Sequence, residues 1–342
     1  MILVTGATGL LGTHVLVELT GRGQAVRALK RSSSDLSALH SVFNYYFKDN
    51  ASEKLKLIEW AEGDVLDIIS LQNAIQGCDV VYHCAALVSF RKKDFNRLIK
   101  INKEGTANVV NVCLSARVNH LCYVSSTATI GKIPGKEMLD ESCKFIPSHE
   151  NSGYAVSKFL AETEVWRGIE EGLPAVIINP CVILGPGNWN ESSVTIFRKI
   201  RDGLKFYTPG SNAFVDARDV AYILCELSDK KIFNDRFLVI GENLSYQNLF
   251  NQIASAFQVK APSVCAKPWM AAIYWRLEAF LSFILRKKPT ITRETARSAM
   301  SSVSYSNKKI CLQLDFKFRG MNDTISNAVS YFKKGHIYHQ SE

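Results

Sequence analysis

A tyrosine and a lysine four residues apart, in Tyr154-Ala155-Val156-Ser157-Lys158, share one face of any helix that carries them. A free phenol, with a pKa of about 10, is a poor acid–base group at neutral pH. A neighbouring ammonium favours the phenolate and lowers that pKa. The same ammonium is able to hold ribose hydroxyls and so position a nicotinamide. Upstream, Val124-Ser125-Ser126-Thr127 offers hydroxyls that could polarise a carbonyl or support its oxyanion. Hydride transfer between a nicotinamide and carbon needs this set: a polarised carbonyl, a proton donor and an electrostatic tuner. Alone, Tyr-x-x-x-Lys is common and mostly marks surface pairs. Its meaning here comes from the motifs that precede it.

The first of these is Thr5-Gly6-Ala7-Thr8-Gly9-Leu10-Leu11-Gly12, between a short apolar run (Ile2-Leu3-Val4) and a helical pattern from Leu10 to Thr20. Gly6 allows the sharp turn. Gly9 removes a side chain where backbone must approach a pyrophosphate, and Gly12 lets the helix lie close on the sheet. The anion would sit at the helix N-terminus. The spacing is G-x-x-G-x-x-G rather than the commoner G-x-G-x-x-G. At the end of the second strand, Leu29-Lys30-Arg31-Ser32-Ser33-Ser34 holds two cations and three hydroxyls, with no acid before Asp35. An acid there would hold a free ribose 2′-OH, whereas Lys30 and Arg31 suit a 2′-phosphate. This favours NADP(H), with NAD(H) the alternative. Asp64, in Glu62-Gly63-Asp64-Val65, ends a strand and either accepts from an adenine amine or serves as a turn carboxylate. The small residues of His83-Cys84-Ala85-Ala86 would let backbone lie close to a cofactor.

These sites require positioning elements at one sheet edge. Strands are read at Ile2–Val4, Ala25–Leu29, Leu55–Trp60, Val80–His83, Leu121–Val124 and Ala175–Ile178, with helices at Ile101–Ala116 and Tyr154–Glu171 between them. Alternation of short apolar strands with helices predicts a parallel sheet covered on both faces. The expected fold is α/β: a Rossmann-type doubly wound parallel sheet with a smaller mixed C-terminal substrate domain. Residues 1–184 form the dinucleotide-binding domain, to which the chain returns at about 214–241. Residues 185–213 and 242–342 form the substrate domain. The 342 residues carry a net charge of +9 and are 47% apolar, as in an ordinary soluble globular protein. The charges are scattered, and no nucleic-acid partner is expected. Nine cysteines without a C-x-x-C pair, several inside apolar runs, argue for a reducing compartment and against a disulfide framework or a zinc site. No catalytic metal is expected. Neither a signal peptide nor an integral membrane segment is read, so the expected location is cytoplasmic.

On these motifs the chain resembles the extended short-chain dehydrogenases/reductases. The likeness runs through Thr5–Gly12, Asp64, Cys84-Ala85-Ala86, Asn102 before Gly105-Thr106-x-Asn108, Ser125-Ser126, Tyr154/Lys158 and Asn179-Pro180 leading to Gly185-Pro186-Gly187. It continues in Phe214-Val215-Asp216-x-Arg218-Asp219-Val220. The resemblance places the catalytic serine at Ser126, with Thr127 the nearest alternative, beside Tyr154 and Lys158. It implies cofactor contacts from Gly6, Thr8, Gly9, Leu10, Leu11, Gly12, Lys30, Arg31, Asp64, Val65, Ala85, Ala86, Asn102, Tyr154, Lys158, Pro180 and Val182. It further implies a homodimer through the Ile101–Ala116 and Tyr154–Glu171 helices.

Three departures narrow the subfamily. Nucleotide-sugar dehydratases carry an Asp-Glu pair soon after the serines, whereas Ser126-Thr127-Ala128-Thr129-Ile130-Gly131 has no acid. Many members have arginine before the proline of the sixth strand. Here it is Asn179, as in members resembling dihydroflavonol and cinnamoyl-CoA reductases, though also in epimerase-like ones. Ala86-Leu87-Val88-Ser89-Phe90 and the strand-end cations resemble the reductase and hydroxysteroid dehydrogenase branch. The expected activity is NADP(H)-dependent reduction of a ketone or aldehyde, or oxidation of a secondary alcohol. A nucleotide-sugar 4-epimerase with tightly held NAD and a non-catalytic dinucleotide-binding sensor are the rivals. The small-molecule substrate would be chosen by the variable end, where Trp189, Phe206, Tyr207, Trp269, Tyr274, Trp275, Phe280 and Phe283 wall a hydrophobic pocket or simply pack a core.

Overall fold

In the computed structural model, which describes residues 1–133, 135–267, 269–270 and 292–339, seven strands form one parallel sheet. They are β1 (Ile2–Thr5), β2 (Val26–Lys30), β3 (Ile58–Glu62), β4 (Val80–His83), β5 (His120–Val124), β6 (Ala175–Pro180) and, late in the chain, Asp235–Val239. The late strand pairs with β6, and the order across the sheet places β1 between β2 and β4. The direction of winding reverses there, and in open α/β sheets that reversal opens a ligand crevice at the strands' carboxyl ends.

The central strands β1, β4 and β6 are apolar on both faces because helices cover both. Val4, Val176 and Ile178 pack into one core with Leu11, Val15, Leu16 and Leu19 of α1 (Leu10–Gly21). Their neighbours Leu3, Ala175 and Ile177 point to the other side. Strand alternation sorts the two sets. That second core includes Val109, Val110 and Cys113 from one helix and Ala161 and Val165 from the long helix Gly153–Glu170.

Two elements differ from the sequence reading. Leu55 ends a short helix, Ala51–Leu55, and β3 starts only at Ile58. The predicted helix at Ile101–Ala116 starts earlier and contains a π-helical turn, Ile99–Glu104, between helical segments Phe95–Leu98 and Gly105–Ser115. That turn holds Asn102. π turns inside helices are frequent at functional sites.

After β6 the chain enters a second, three-stranded sheet: β7 (Val182–Leu184), then Ser211–Asp216 and Glu242–Ser245. A third core joins Leu184, Phe197, Phe214, Leu249 and Phe332. Trp189 lies in it, its ring centroid 3.6 Å from that of Phe332, so this residue packs the core rather than walling a pocket. Phe206 and Trp269 are exposed. The predicted pocket residues Tyr274, Trp275, Phe280 and Phe283 lie outside the described residues. None of the described helices is long and apolar enough to cross a membrane.

Candidate active site

The glycines of the first turn separate into two kinds. Gly6 has φ +67°, and a Cβ on it would lie 2.5 Å from the Ala85 amide nitrogen. A Cβ on Gly12 would lie 2.1 Å from the Gly6 carbonyl oxygen. Packing within the protein therefore demands both. Gly9 is different. It is exposed, and a Cβ there would meet only the Gly6 oxygen, at 3.3 Å. Open space beside it is bounded by Thr8, Leu10, Thr13, Gly187 and Asn188. Gly9 is also the N-cap of α1, with no side-chain cap and no acid in the first turn. The helix start thus keeps its free N–H groups, its positive end and an unobstructed approach, which fits a pyrophosphate.

Around this loop the other predicted binding residues gather at the strand ends. Ala85 lies directly against Gly6, and Ala86 beyond it is exposed. Leu11 is buried, with Thr8 and Leu10 partly so. Arg31 is exposed at the end of β2, and neither Arg31 nor Lys30 has an ion-pair partner among the described residues. Asp35, the first acid beyond them, is occupied locally: its carboxylate accepts from the backbone N–H and hydroxyl of Ser37, both at 2.8 Å. Asp64 accepts from the Leu66 amide at 3.0 Å, and its neighbour Val65 packs beneath Gly105, where a Cβ would lie 2.7 Å from a Val65 methyl. Asn102, turned inward by the π segment, clamps the loop after β4. Its Oδ1 accepts from Leu87 N–H at 2.7 Å, and its Nδ2 donates to Leu87 O at 3.0 Å and to Ser157 Oγ at 2.9 Å. Asn102 therefore shapes the loop while its own hydrogen-bonding groups are engaged. Pro180 ends β6 and Val182 starts β7, so both stand where the chain passes from one sheet to the other.

Ser126, Tyr154 and Lys158 meet at the same edge. Ser126 follows β5, accepts from the Ala128 amide at 3.1 Å, and turns its hydroxyl towards the Tyr154 phenol, which it favours as the phenolate. The helix carrying Tyr154 is started by Ser152, whose hydroxyl accepts from the Ala155 amide at 3.0 Å. Phe90 sets its ring edge-on to Tyr154, with centroids 5.7 Å apart. Burial raises the Tyr154 pKa, against the Ser126 hydrogen bond, so the phenol is protonated at neutral pH. Lys158, 1% exposed, is pushed down to about 7 by desolvation, partly opposed by Glu162 and Cys84. Its Nζ donates to Tyr123 Oη and to Val124 O, both at 2.8 Å. Without a ligand, burial outweighs the acidifying influence that the Tyr–Lys spacing suggests for the phenol.

Ser125 takes no part on that side. Its hydroxyl donates to Glu162 Oε2 at 2.5 Å. Glu162 is 3% exposed, and its two oxygens also accept from Thr129, Asn179, Trp166 and Arg236. A buried carboxylate survives only when it is satisfied in this way. From the second sheet's side comes the buried Tyr305, whose phenol is pushed up to about 12 by desolvation, partly opposed by Thr127. Glu162, Arg236, Tyr305 and Tyr123 were not singled out from the sequence. Each reads locally as an ordinary helix, strand or core residue. Among the described residues no group of His, Cys, Asp and Glu could hold a metal.

A doubly wound sheet, an anion cradle at its switch point and a Ser/Tyr/Lys set on its carboxyl edge define an NAD(P)-dependent enzyme of the extended short-chain dehydrogenase/reductase type. The chain belongs to the NAD dependent epimerase/dehydratase family, whose model matches residues 2–241. It is 27% identical to sterol demethylase protein B of Methylococcus capsulatus over 97% of this chain and 98% of the relative. Against a putative dihydroflavonol 4-reductase of Synechocystis it is 26% identical, over 96% of this chain and 94% of the relative. Among solved structures, gox2253 superposes with a TM-score of 0.78 at 28% identity, covering 98% of both chains. The UDP-glucose 4-epimerase of Thermotoga maritima reaches a TM-score of 0.77, at 18% identity, over 98% of this chain and 99% of that one. That last likeness speaks for the fold alone.

Proposed function

We propose that this protein is an NADP(H)-dependent reductase of a ketone or aldehyde, running as an alcohol dehydrogenase in reverse. The observation that carries the reading is the placement of the Ser126 hydroxyl by the Tyr154 phenol, one helical turn from Lys158, with no carboxylate in Ser126–Gly131 to assist elimination of water. A bound nicotinamide cofactor supplies the hydride acceptor or donor. The protein supplies the rest. Ser126 Oγ orients the carbonyl oxygen, Tyr154 gives it a proton as charge develops, and the Lys158 ammonium holds ribose hydroxyls and steadies the phenolate left behind. Lys30 and Arg31, which have no ion-pair partner among the described residues, favour a 2′-phosphate, and Asp35, the first acid after them, is engaged by Ser37. A relative named as a putative dihydroflavonol 4-reductase, aligned over 96% of this chain, supports a reductase. We further propose a homodimer through the outer faces of the Gly105–Ser115 and Gly153–Glu170 helices.

The test starts with the purified protein. It is denatured, any released nicotinamide cofactor is identified, and the empty protein is titrated with NADPH and NADH. Preference for exchangeable NADPH, followed by turnover on a carbonyl panel, is expected. Tyr154→Phe should lose at least about a hundredfold in kcat while still binding NADPH. Tightly held, non-exchanging NAD⁺ with conversion of a UDP-sugar would replace this reading by a 4-epimerase.

A further inference from the structure

Behind Lys158 lies a row of buried polar side chains that the Ser/Tyr/Lys set does not use. Lys158 Nζ meets Tyr123 Oη at 2.8 Å, and the Thr106 hydroxyl stands near the Tyr123 phenol, where it favours the phenolate against burial. Thr106 Oγ1 lies 3.0 Å from His83 Nε2, and His83 Nδ1 lies 2.7 Å from Thr5 Oγ1. None of Tyr123, Thr106, His83 and Thr5 is more than 1% exposed. They come from β5, the Gly105–Ser115 helix, β4 and β1, so the row crosses under the sheet edge from the reactive phenol's helix to the residue before Gly6.

Counting hydrogens gives the row a direction. The charged lysine only donates, so Tyr123 Oη accepts from the ammonium. The Tyr123 proton then needs an acceptor, and Thr106 Oγ1 is the neighbouring hydroxyl that offers one. Thr106 passes its own proton towards His83 Nε2. His83 is neutral, its pKa pushed down to about 3 by desolvation and by Lys158. With Thr106 donating to Nε2, the proton of the neutral ring is on Nδ1, 2.7 Å from Thr5 Oγ1. In this assignment each bond is oriented to concentrate lone-pair density on Tyr123 Oη, facing the ammonium.

We propose that Tyr123, oriented by Thr106 and His83, is a positioning residue for Lys158, keeping its ammonium charged and its third N–H free for the cofactor ribose. The inference rests on Lys158 being the ribose-holding group of the proposed site. The other groups facing Lys158 are Glu162, whose oxygens are taken up by five donors, the neutral Cys84 and His83, and Tyr154 one turn earlier. Of these side chains, Tyr123 is the one with a hydrogen-bond contact to Nζ.

The test reads cofactor binding rather than turnover, so it does not depend on which reaction the site performs. The NADPH dissociation constant is measured by fluorescence from about pH 6 to 9 for the full chain and for Tyr123→Phe, Thr106→Val, Thr106→Ser and Lys158→Met. The titration of the 2′-phosphate is common to all and cancels in the comparison. Wild-type affinity should rise as pH falls through the Lys158 midpoint. Tyr123→Phe should move that midpoint about one pH unit lower, the scale of one lost hydrogen bond to a charge. Thr106→Val should move it the same way by less, and Thr106→Ser should restore the wild-type curve. Wild-type midpoints in both Tyr123→Phe and Thr106→Val, with Lys158→Met flat, would overturn the relay and leave Lys158 in place. A Lys158→Met curve as pH-dependent as wild type would overturn the assignment of Lys158 and the relay together.

Discussion

The substitution Lys158→Met should make this protein more stable and stop it working. Lys158 is 1% exposed, and its pKa falls from 10.5 to about 7 on folding. At about 1.36 kcal/mol per unit, that difference sets a ceiling of about 5 kcal/mol on what the buried ammonium costs the fold at low pH. A methionine side chain in its place would keep a straight apolar stem of similar reach, but Tyr123 Oη and Val124 O would lose their donor. Two lost partners take back about 1 kcal/mol each. Relaxation around a buried charge lowers the ceiling further, so a net gain of about 2 kcal/mol is expected at about pH 6.5. The pH dependence has a definite sign. Between the folded value near 7 and the unfolded value of 10.5, the unfolded chain binds one more proton at this site than the folded chain does. This group's contribution to wild-type stability therefore rises with pH across that window, whereas in Lys158→Met it is absent. The variant's advantage should be full below about pH 7 and gone by about pH 10. Urea unfolding of both proteins at about pH 6.5, 8.5 and 10, without cofactor, measures it. A variant no more stable than wild type at the lowest pH, or an advantage that does not shrink with pH, would refute the reasoning.

The same contrast between folding and function separates the glycines. Gly12→Ala puts a Cβ 2.1 Å from the Gly6 oxygen and should cost several kcal/mol in urea unfolding, whereas Gly9→Ala meets only a 3.3 Å contact and should unfold within about 1 kcal/mol of wild type. Gly9→Ala should nonetheless weaken NADPH binding at least about tenfold, and normal affinity would remove the pyrophosphate from this cradle. Arg31→Ala should weaken NADPH about ten- to a hundredfold, as loss of one charge-assisted contact implies, and change NADH less than about threefold. Equal losses for the two cofactors would show that Arg31 does not read the 2′-phosphate.

Much of the cofactor side was legible because its chemistry is local. A backbone that must turn sharply and approach an anion needs glycines at short fixed spacing, and strands buried on two faces need unbroken apolar runs. The rest is polar chemistry hidden inside apolar sequence. Tyr123 sits in Leu121-Cys122-Tyr123-Val124, which reads as a core strand. What makes it more than core is Lys158, 35 residues later in the chain. Glu162 looks like any helix carboxylate until Ser125, Thr129, Asn179 and Arg236 converge on it from separate segments. No periodicity reports such a convergence, because each member satisfies its own element's pattern.

Asn179 shows how a visible departure acquires its meaning only in three dimensions. In place of the arginine many members carry before this proline, an amide donates to Glu162 Oε2 at 2.8 Å. The cation that meets this carboxylate comes instead from the neighbouring strand, as Arg236 Nη1 at 3.2 Å from Oε1. Arg236 thereby balances the charge of a carboxylate that is 3% exposed. With Arg236 on one oxygen, the other is free to take the hydroxyls of Ser125 and Thr129. That ties Ser125 to the sheet's interior. Of the two adjacent serines, only Ser126 is left to face Tyr154, a division that strand alternation suggests and the Glu162 cluster enforces.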